Sequence, residues 1–143
     1  MRQTGFTIAT ACTALLASIM ALPVVAAPFT TAAEVKPILD ATRRNWVALR
    51  EYGGKDLLYF TQLEAWRCGL SEIRYAVNGG PEQPYQAEPC HTETGQPNAM
   101  TLKGHLPFVE FPPGTVQSVV VRLIYDDGTT DQAEFRRGEI LMP

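Results

Sequence analysis

The run Val116-Gln-Ser-Val-Val-Val-Arg-Leu-Ile-Tyr125, then Asp126-Asp-Gly128, then Thr130-Asp-Gln-Ala-Glu-Phe-Arg136, decides the fold class. Val119, Val121, Leu123 and Tyr125 share one parity, so an extended chain places all four on one face. Asp126-Asp-Gly128 supplies turn chemistry, and the chain then returns through Thr130 to Arg136 as the second arm of a hairpin. Upstream, Ser71-Glu-Ile-Arg-Tyr-Ala-Val77 carries the same signature. Ile73, Tyr75 and Val77 alternate with Glu72, Arg74 and Ala76, the pattern of a half-buried strand, and Asn78-Gly-Gly-Pro81 ends it. Between these stretches, Pro81 to Asn98 is rich in Pro, Glu, Gln and Thr and reads as an irregular excursion, with room for a short strand near Tyr85 to Ala87. Pro107 to Thr115 reads as a short strand followed by a proline-bounded corner.

Nearer the N-terminus, Asn45 to Tyr52, the turn Gly53-Gly-Lys-Asp56, and Leu57 to Trp66 read as another hairpin. Thr31-Ala-Ala-Glu34 has the spacing of a capping box. Pro37 would interrupt a helix begun there, because proline lacks the amide donor and crowds the preceding turn. The expectation is therefore a short helix from Pro37 to about Arg44, with Ile38, Leu39 and Thr42 facing inward. One longer helix from Val35 to Tyr52 is the alternative, since Val35, Ile38, Leu39, Thr42, Trp46 and Leu49 also fit helical spacing.

Several short strands separated by turn signals predict a mainly β fold, an antiparallel β-sandwich with a short N-terminal helix. Ile73-Arg-Tyr-Ala-Val-Asn-Gly-Gly80 resembles the third strand and following turn of fibronectin type III and related immunoglobulin-like domains. Phe111-Pro-Pro-Gly-Thr115 with Val119 to Gly128 resembles the later part of those domains. The resemblance covers roughly Leu57 to Phe135 and implies an immunoglobulin-like scaffold used mostly for binding. The strand Val119 to Tyr125 has no cysteine, so the antibody type of bridge between sheets is excluded.

The first 27 residues read as a cleaved secretory signal peptide: Arg2, an uncharged apolar run from Phe6 to Leu22, the breaker Pro23, and small residues at Ala26 and Ala27. An uncleaved anchor over the uncharged stretch Thr4 to Ala33, or lipidation at Cys12, are the competing readings. Residues 28–143 are then a single periplasmic or secreted domain with no membrane contact once the leader is gone. The whole chain has 12 Lys+Arg and 15 Asp+Glu; removing Arg2 leaves 11 against 15, a net charge of −4. That balance gives no electrostatic footprint for nucleic acid. Cys68 and Cys90 remain, and an even pair in an exported protein predicts a disulfide. In the chain-entropy account, closing a loop of this size stabilises the fold by roughly 3 kcal/mol.

Cys68, Cys90, His91 and His105 are of types that bind zinc or copper, but their spacing matches no compact ligand pattern, and the disulfide explains the cysteines. Asp126, Asp127 and Asp131 lack the alternation and distal Glu of a calcium loop and read as a solvated hairpin. Glu64 and Glu72 flank Cys68, where Arg67 and Arg74 would pair with them on a sheet surface. The aromatic set Trp46, Tyr52, Tyr59, Phe60, Trp66 and Tyr75 reads chiefly as core, with Tyr59, Trp66 and His91 as the residues of a binding surface. The functional expectation is an exported, non-catalytic binding or accessory module, with no cofactor and with a protein as its partner. Two alternatives stand beside it. One is an enzyme inhibitor presenting the 81–98 loop; the other is a hydrolase or redox protein using Cys68, Cys90 or Glu64.

Overall fold

Alternation along the chain becomes two antiparallel sheets in the computed structural model, which describes residues 28–143. One sheet holds β1 (Ala48–Tyr52), β2 (Lys55–Tyr59) and β5 (Phe108–Phe111) in the order β1-β2-β5. The other holds β3 (Leu70–Val77), β4 (Gln83–Tyr85), β6 (Ser118–Tyr125) and β7 (Thr130–Arg136) in the order β4-β3-β6-β7. On β6, Val119, Val121, Leu123 and Tyr125 are fully buried while their neighbours are not, as the parity predicts. They share one core with Leu49 and Leu58 of the other sheet and with Val35, Leu39, Trp46 and Phe60. The hairpin β1–β2 turns at Gly53 and Gly54, both at positive φ (61° and 73°), the geometry a two-residue turn of this kind requires. Residues 1–27, on which the signal-peptide, anchor and Cys12 lipidation readings fall, lie outside the described residues.

Two elements differ from the sequence reading. The N-terminal helix α1 runs over Ala32–Ala41 with Pro37 inside it, not from Pro37 onward, and neither does it extend to Tyr52. Its start is over-determined. The Glu34 carboxylate accepts bonds from the Thr30 amide (2.9 Å), the Thr31 amide (3.1 Å) and the Thr31 hydroxyl (2.9 Å), and the Ala32 amide donates to Asp126 Oδ1 at 2.8 Å. Satisfying these orphan amides, and burying Val35 and Leu39, outweighs the one backbone donor that Pro37 lacks. At the far end the Trp46 indole donates to the Leu39 carbonyl at 2.8 Å and fixes the chain as it leaves the helix for β1.

The second difference lies after β2. Leu57 to Trp66 is not one strand: β2 ends at Tyr59, and Thr61–Glu64 forms a helical turn, α2. Large side chains on both parities are the reason. Phe60 and Leu63 are both fully buried, which their spacing allows in a helical turn and forbids in a strand, where they would face opposite sides. This turn also carries Glu64 into the interior, and a 3-10 turn over Arg67–Gly69 leads from it into β3.

The sheets are tied together at Asp56 of β2. Its fully buried carboxylate takes two bonds from Arg137 (2.7 and 3.1 Å) and one each from the amides of Gly114 (3.0 Å) and Val116 (3.1 Å). Arg137 opens the last helical turn, α3 (Arg137–Ile140), after which Leu141 bridges to Leu49 and covers the outer edge of β1.

Candidate functional site

After Tyr85 the chain leaves the sheet and forms no strand until Phe108. The excursion is longer than the Pro81–Asn98 segment the sequence suggested, and it is fastened at several points. Cys68 and Cys90 are joined by a disulfide. Beside it, buried Arg67 spends all five of its N–H donors on backbone carbonyls: Pro89 twice (3.2 and 2.9 Å), Glu64 (2.9 Å), Asn98 (2.8 Å) and Ala99 (2.9 Å). The Asn98 side chain accepts from the Cys68 amide (3.0 Å) and donates to the Phe29 carbonyl (2.9 Å). Arg67 is therefore not the surface ion-pair partner expected from sequence; it is the hub on which the excursion is folded.

Glu88, also buried, holds the far side. Its Oε1 accepts from the amides of Thr101 (2.8 Å) and Leu102 (2.9 Å) and bonds to His91 Nε2 at 2.6 Å, with Arg67 Nη2 at 3.9 Å. Burial alone would raise the Glu88 pKa. The bonds from His91, Thr101 and Leu102, with the Arg67 charge, reverse that and bring it down to about 2.

From these anchors the chain makes a tight turn. The His105 amide donates to the Leu102 carbonyl at 3.2 Å, and Gly104 takes φ 81°, the left-handed conformation a type II turn needs at its third position. On the inner side, His105 Nε2 meets Glu64 Oε1 at 2.7 Å, and the buried Tyr85 hydroxyl donates to the same oxygen. Burial, then the bond to Glu64, raises the Tyr85 pKa far above the ordinary phenol range, so Tyr85 is a permanent donor. Glu64 Oε2 has no hydrogen-bond partner among the described residues. On the outer side, Met100, Leu102 and Leu106 are 45%, 53% and 57% exposed. A backbone held from beneath by two buried carboxylates and an arginine thus presents three large apolar side chains to solvent.

The sequence-predicted residues are dispersed around this feature. Tyr59 packs on Phe108 across the β2–β5 pair, and Trp66 packs edge-on against Phe29. Trp46, Phe60 and Tyr75 are core residues, while Tyr52 is exposed. Tyr59 and Trp66 line separate recesses, and His91 serves the Glu88 anchor. Glu64 is buried, whereas Glu72 does pair with Arg74 at the surface (3.2 Å). A cleft of about 340 Å³ opens between Leu70–Ile73 and Pro84–Glu88; Cys68 and Cys90 line it as a disulfide, so neither sulfur is a thiolate there. The three aspartates of the β6–β7 hairpin do more than meet solvent. Asp126 caps α1, Asp127 pairs with Lys36 at 2.9 Å, and Asp131 accepts from the Tyr125 hydroxyl at 2.8 Å. No group of three or more His, Cys, Asp or Glu placed to hold a metal ion occurs among the described residues, and no helix there is long and apolar enough to cross a membrane.

The exposed apolar turn was missed from sequence because Ala99 to Leu106 has no period. Its signal was present: Lys103-Gly104 is turn chemistry flanked by Met100, Leu102 and Leu106, apolar residues with no strand or helix to bury them. No family model, curated protein or solved structure matches this chain.

Proposed function

We propose that this chain is an exported, non-catalytic binding module that engages a protein partner through the Met100–Leu106 turn. The observation that carries the reading is the union of exposure and restraint: Met100, Leu102 and Leu106 face solvent from a backbone fastened by Arg67, Glu88 and the disulfide. Large apolar side chains on a pre-ordered loop bind without a large ordering cost, which is how compact recognition loops gain affinity. Export is supported by the leader-like first 27 residues and by the disulfide, which persists in oxidising compartments. The immunoglobulin-like reading of the scaffold is supported by strand order. Lettered A, B, C, C′, E, F, G along the chain, the strands give A-B-E against C′-C-F-G. The turn then belongs to the C′–E connection at one end of the sandwich. The inhibitor version places the same turn in an enzyme cleft, and its working residues are 100–106 in place of 81–98.

Photo-crosslinking in the native host tests this. A photoreactive residue at Leu102 is expected to yield a discrete covalent adduct with one protein, and Met100→Asp with Leu106→Asp is expected to weaken binding to that protein at least about tenfold, as for hot-spot residues. An adduct from a reporter at Tyr52 with none from Leu102 would overturn the proposal. Assaying the captured protein for lost activity separates inhibitor from adaptor.

A further inference from the structure

The two sheets end in four edge strands, and three of those edges are blunted. Along β1, Leu141 bridges to Leu49, and the Met142 amide donates to the Leu49 carbonyl at 2.8 Å. On β4 the outward position is Pro84, which has no N–H to offer. On β7 the Arg43 guanidinium donates to the Gln132 carbonyl at 2.9 Å, and the Glu139 carboxylate accepts from the Arg136 amide at 2.7 Å. β5 has no such cover. One step beyond the pair Tyr59–Phe108, the Phe60 amide donates to the Pro107 carbonyl at 2.8 Å, so Pro107, Val109 and Phe111 turn their polar backbone groups toward β2. The N–H and C=O of Phe108 and Glu110 therefore point away from β2, and no hydrogen bond reaches them among the described residues. Val109 and Phe111 pack on the core yet are only partly buried, so apolar surface remains uncovered along this edge.

We propose that β5 accepts an extended segment of the protein partner as an added strand, its backbone bonded to Phe108 and Glu110 and its length running past Leu106 to the apolar turn. This rests on reading the Met100–Leu106 turn as the recognition surface, and it says how the partner lies on that surface. Polar groups that repeat at every second residue of an edge are matched by another extended backbone, which carries donors and acceptors at the same spacing. The reach of the segment is set by the ends of β5. Pro112 falls in the outward parity, lacks an N–H and stops the ladder, whereas the other end leads through Pro107 straight into exposed Leu106. A residue opposite Val109 lies on the core side of the sheet, where an apolar side chain closes over Val109 and Phe111. On the outer face Phe108 already packs on Tyr59, and Lys55 takes the Glu110 carboxylate. A second copy of the chain fits this edge less well. With Phe108 of one β5 bonded opposite Glu110 of the other, the two Glu110 carboxylates become diagonal neighbours on one face, in a chain of net charge −3.

Glu110→Pro removes the outward N–H and leaves the bonds to β2 in place, while Glu110→Ala removes only the carboxylate. In the native host, crosslinking from Leu102 is expected to fall at least about tenfold in the Glu110→Pro background and to change less than about threefold with Glu110→Ala. The captured protein, added to the natural chain, is expected to raise the protection of the Phe108 and Glu110 amides against hydrogen exchange about tenfold or more, with far less effect on the Val109 amide that β2 already holds. Because the exchange is read on the natural chain, it decides the matter even where Glu110→Pro loses its fold. An adduct that persists in a folded Glu110→Pro chain, or a partner that leaves those two amides unprotected, would overturn the added strand and leave the turn as the recognition surface. Absence of any adduct from Leu102 in the natural chain would overturn both. A dimer of the purified natural chain that Glu110→Pro dissolves would give the edge to a second copy and overturn the proposal as well.

Discussion

Gly69 shows how much one residue decides. A Cβ built there would stand 2.5 Å from Val35 Cγ2 and 2.8 Å from the Thr31 carbonyl oxygen, because the turn before β3 presses against the start of α1. The contact with a backbone atom cannot be relieved by a rotamer change. Gly69→Ala is therefore expected to destabilise the fold by about 1–3 kcal/mol, the cost of overpacking, seen as a lower urea midpoint with an unchanged slope. Sequence gave no hint of this, since a lone glycine before a strand reads equally well as a boundary. Arg67 is a similar case. Its type and place between Glu64 and Glu72 suggest surface pairing, and only the fold reveals four bonds to carbonyls of a loop that is remote in sequence, beside one to the Glu64 carbonyl. Side chains that serve distant backbone leave no local pattern.

Elements were legible where period and turn chemistry agreed. The β6–β7 hairpin, β3 with its Asn78-Gly79 end, and the two-glycine turn of β1–β2 all follow from alternation closed by residues that tolerate positive φ. Reading failed where a local rule was outvoted by tertiary bonds. Pro37 argued against a helix that Glu34 and Asp126 nonetheless start. The run Leu57 to Trp66 reads as one arm of a hairpin, yet its large side chains on both parities mark the change of element that follows Tyr59. Within the excursion, the disulfide pair is readable from the cysteine count and the leader-like first 27 residues. The turn it helps fasten was not, because its order comes from Arg67, Glu64 and Glu88 and not from its own residues.

At the scale of the whole molecule, two buried carboxylates set the acid limit. Arg137, and then the amides of Gly114 and Val116, hold the Asp56 pKa well below the usual carboxylate range despite its burial, and Glu88 is held at about 2. Both groups have depressed folded pKa values. Their contribution is thus fully present above the unfolded carboxylate range near pH 4, and it is lost as pH falls toward and through about 2. Equilibrium unfolding across acid pH is expected to show stability falling from about pH 4 downward, with Asp56→Asn flattening that dependence; a flat profile in the natural protein would contradict the buried-carboxylate network. Such a network lets a small sandwich carry a long loop as part of its rigid body, which is the central claim about this protein. Backbone ¹⁵N order parameters at about pH 5 test it most directly. Residues Glu88 to Leu102 should match the strands, at about 0.85, although they form no strand or helix. Values below about 0.6 across Ala99 to Leu102 would show a flexible loop and contradict the account.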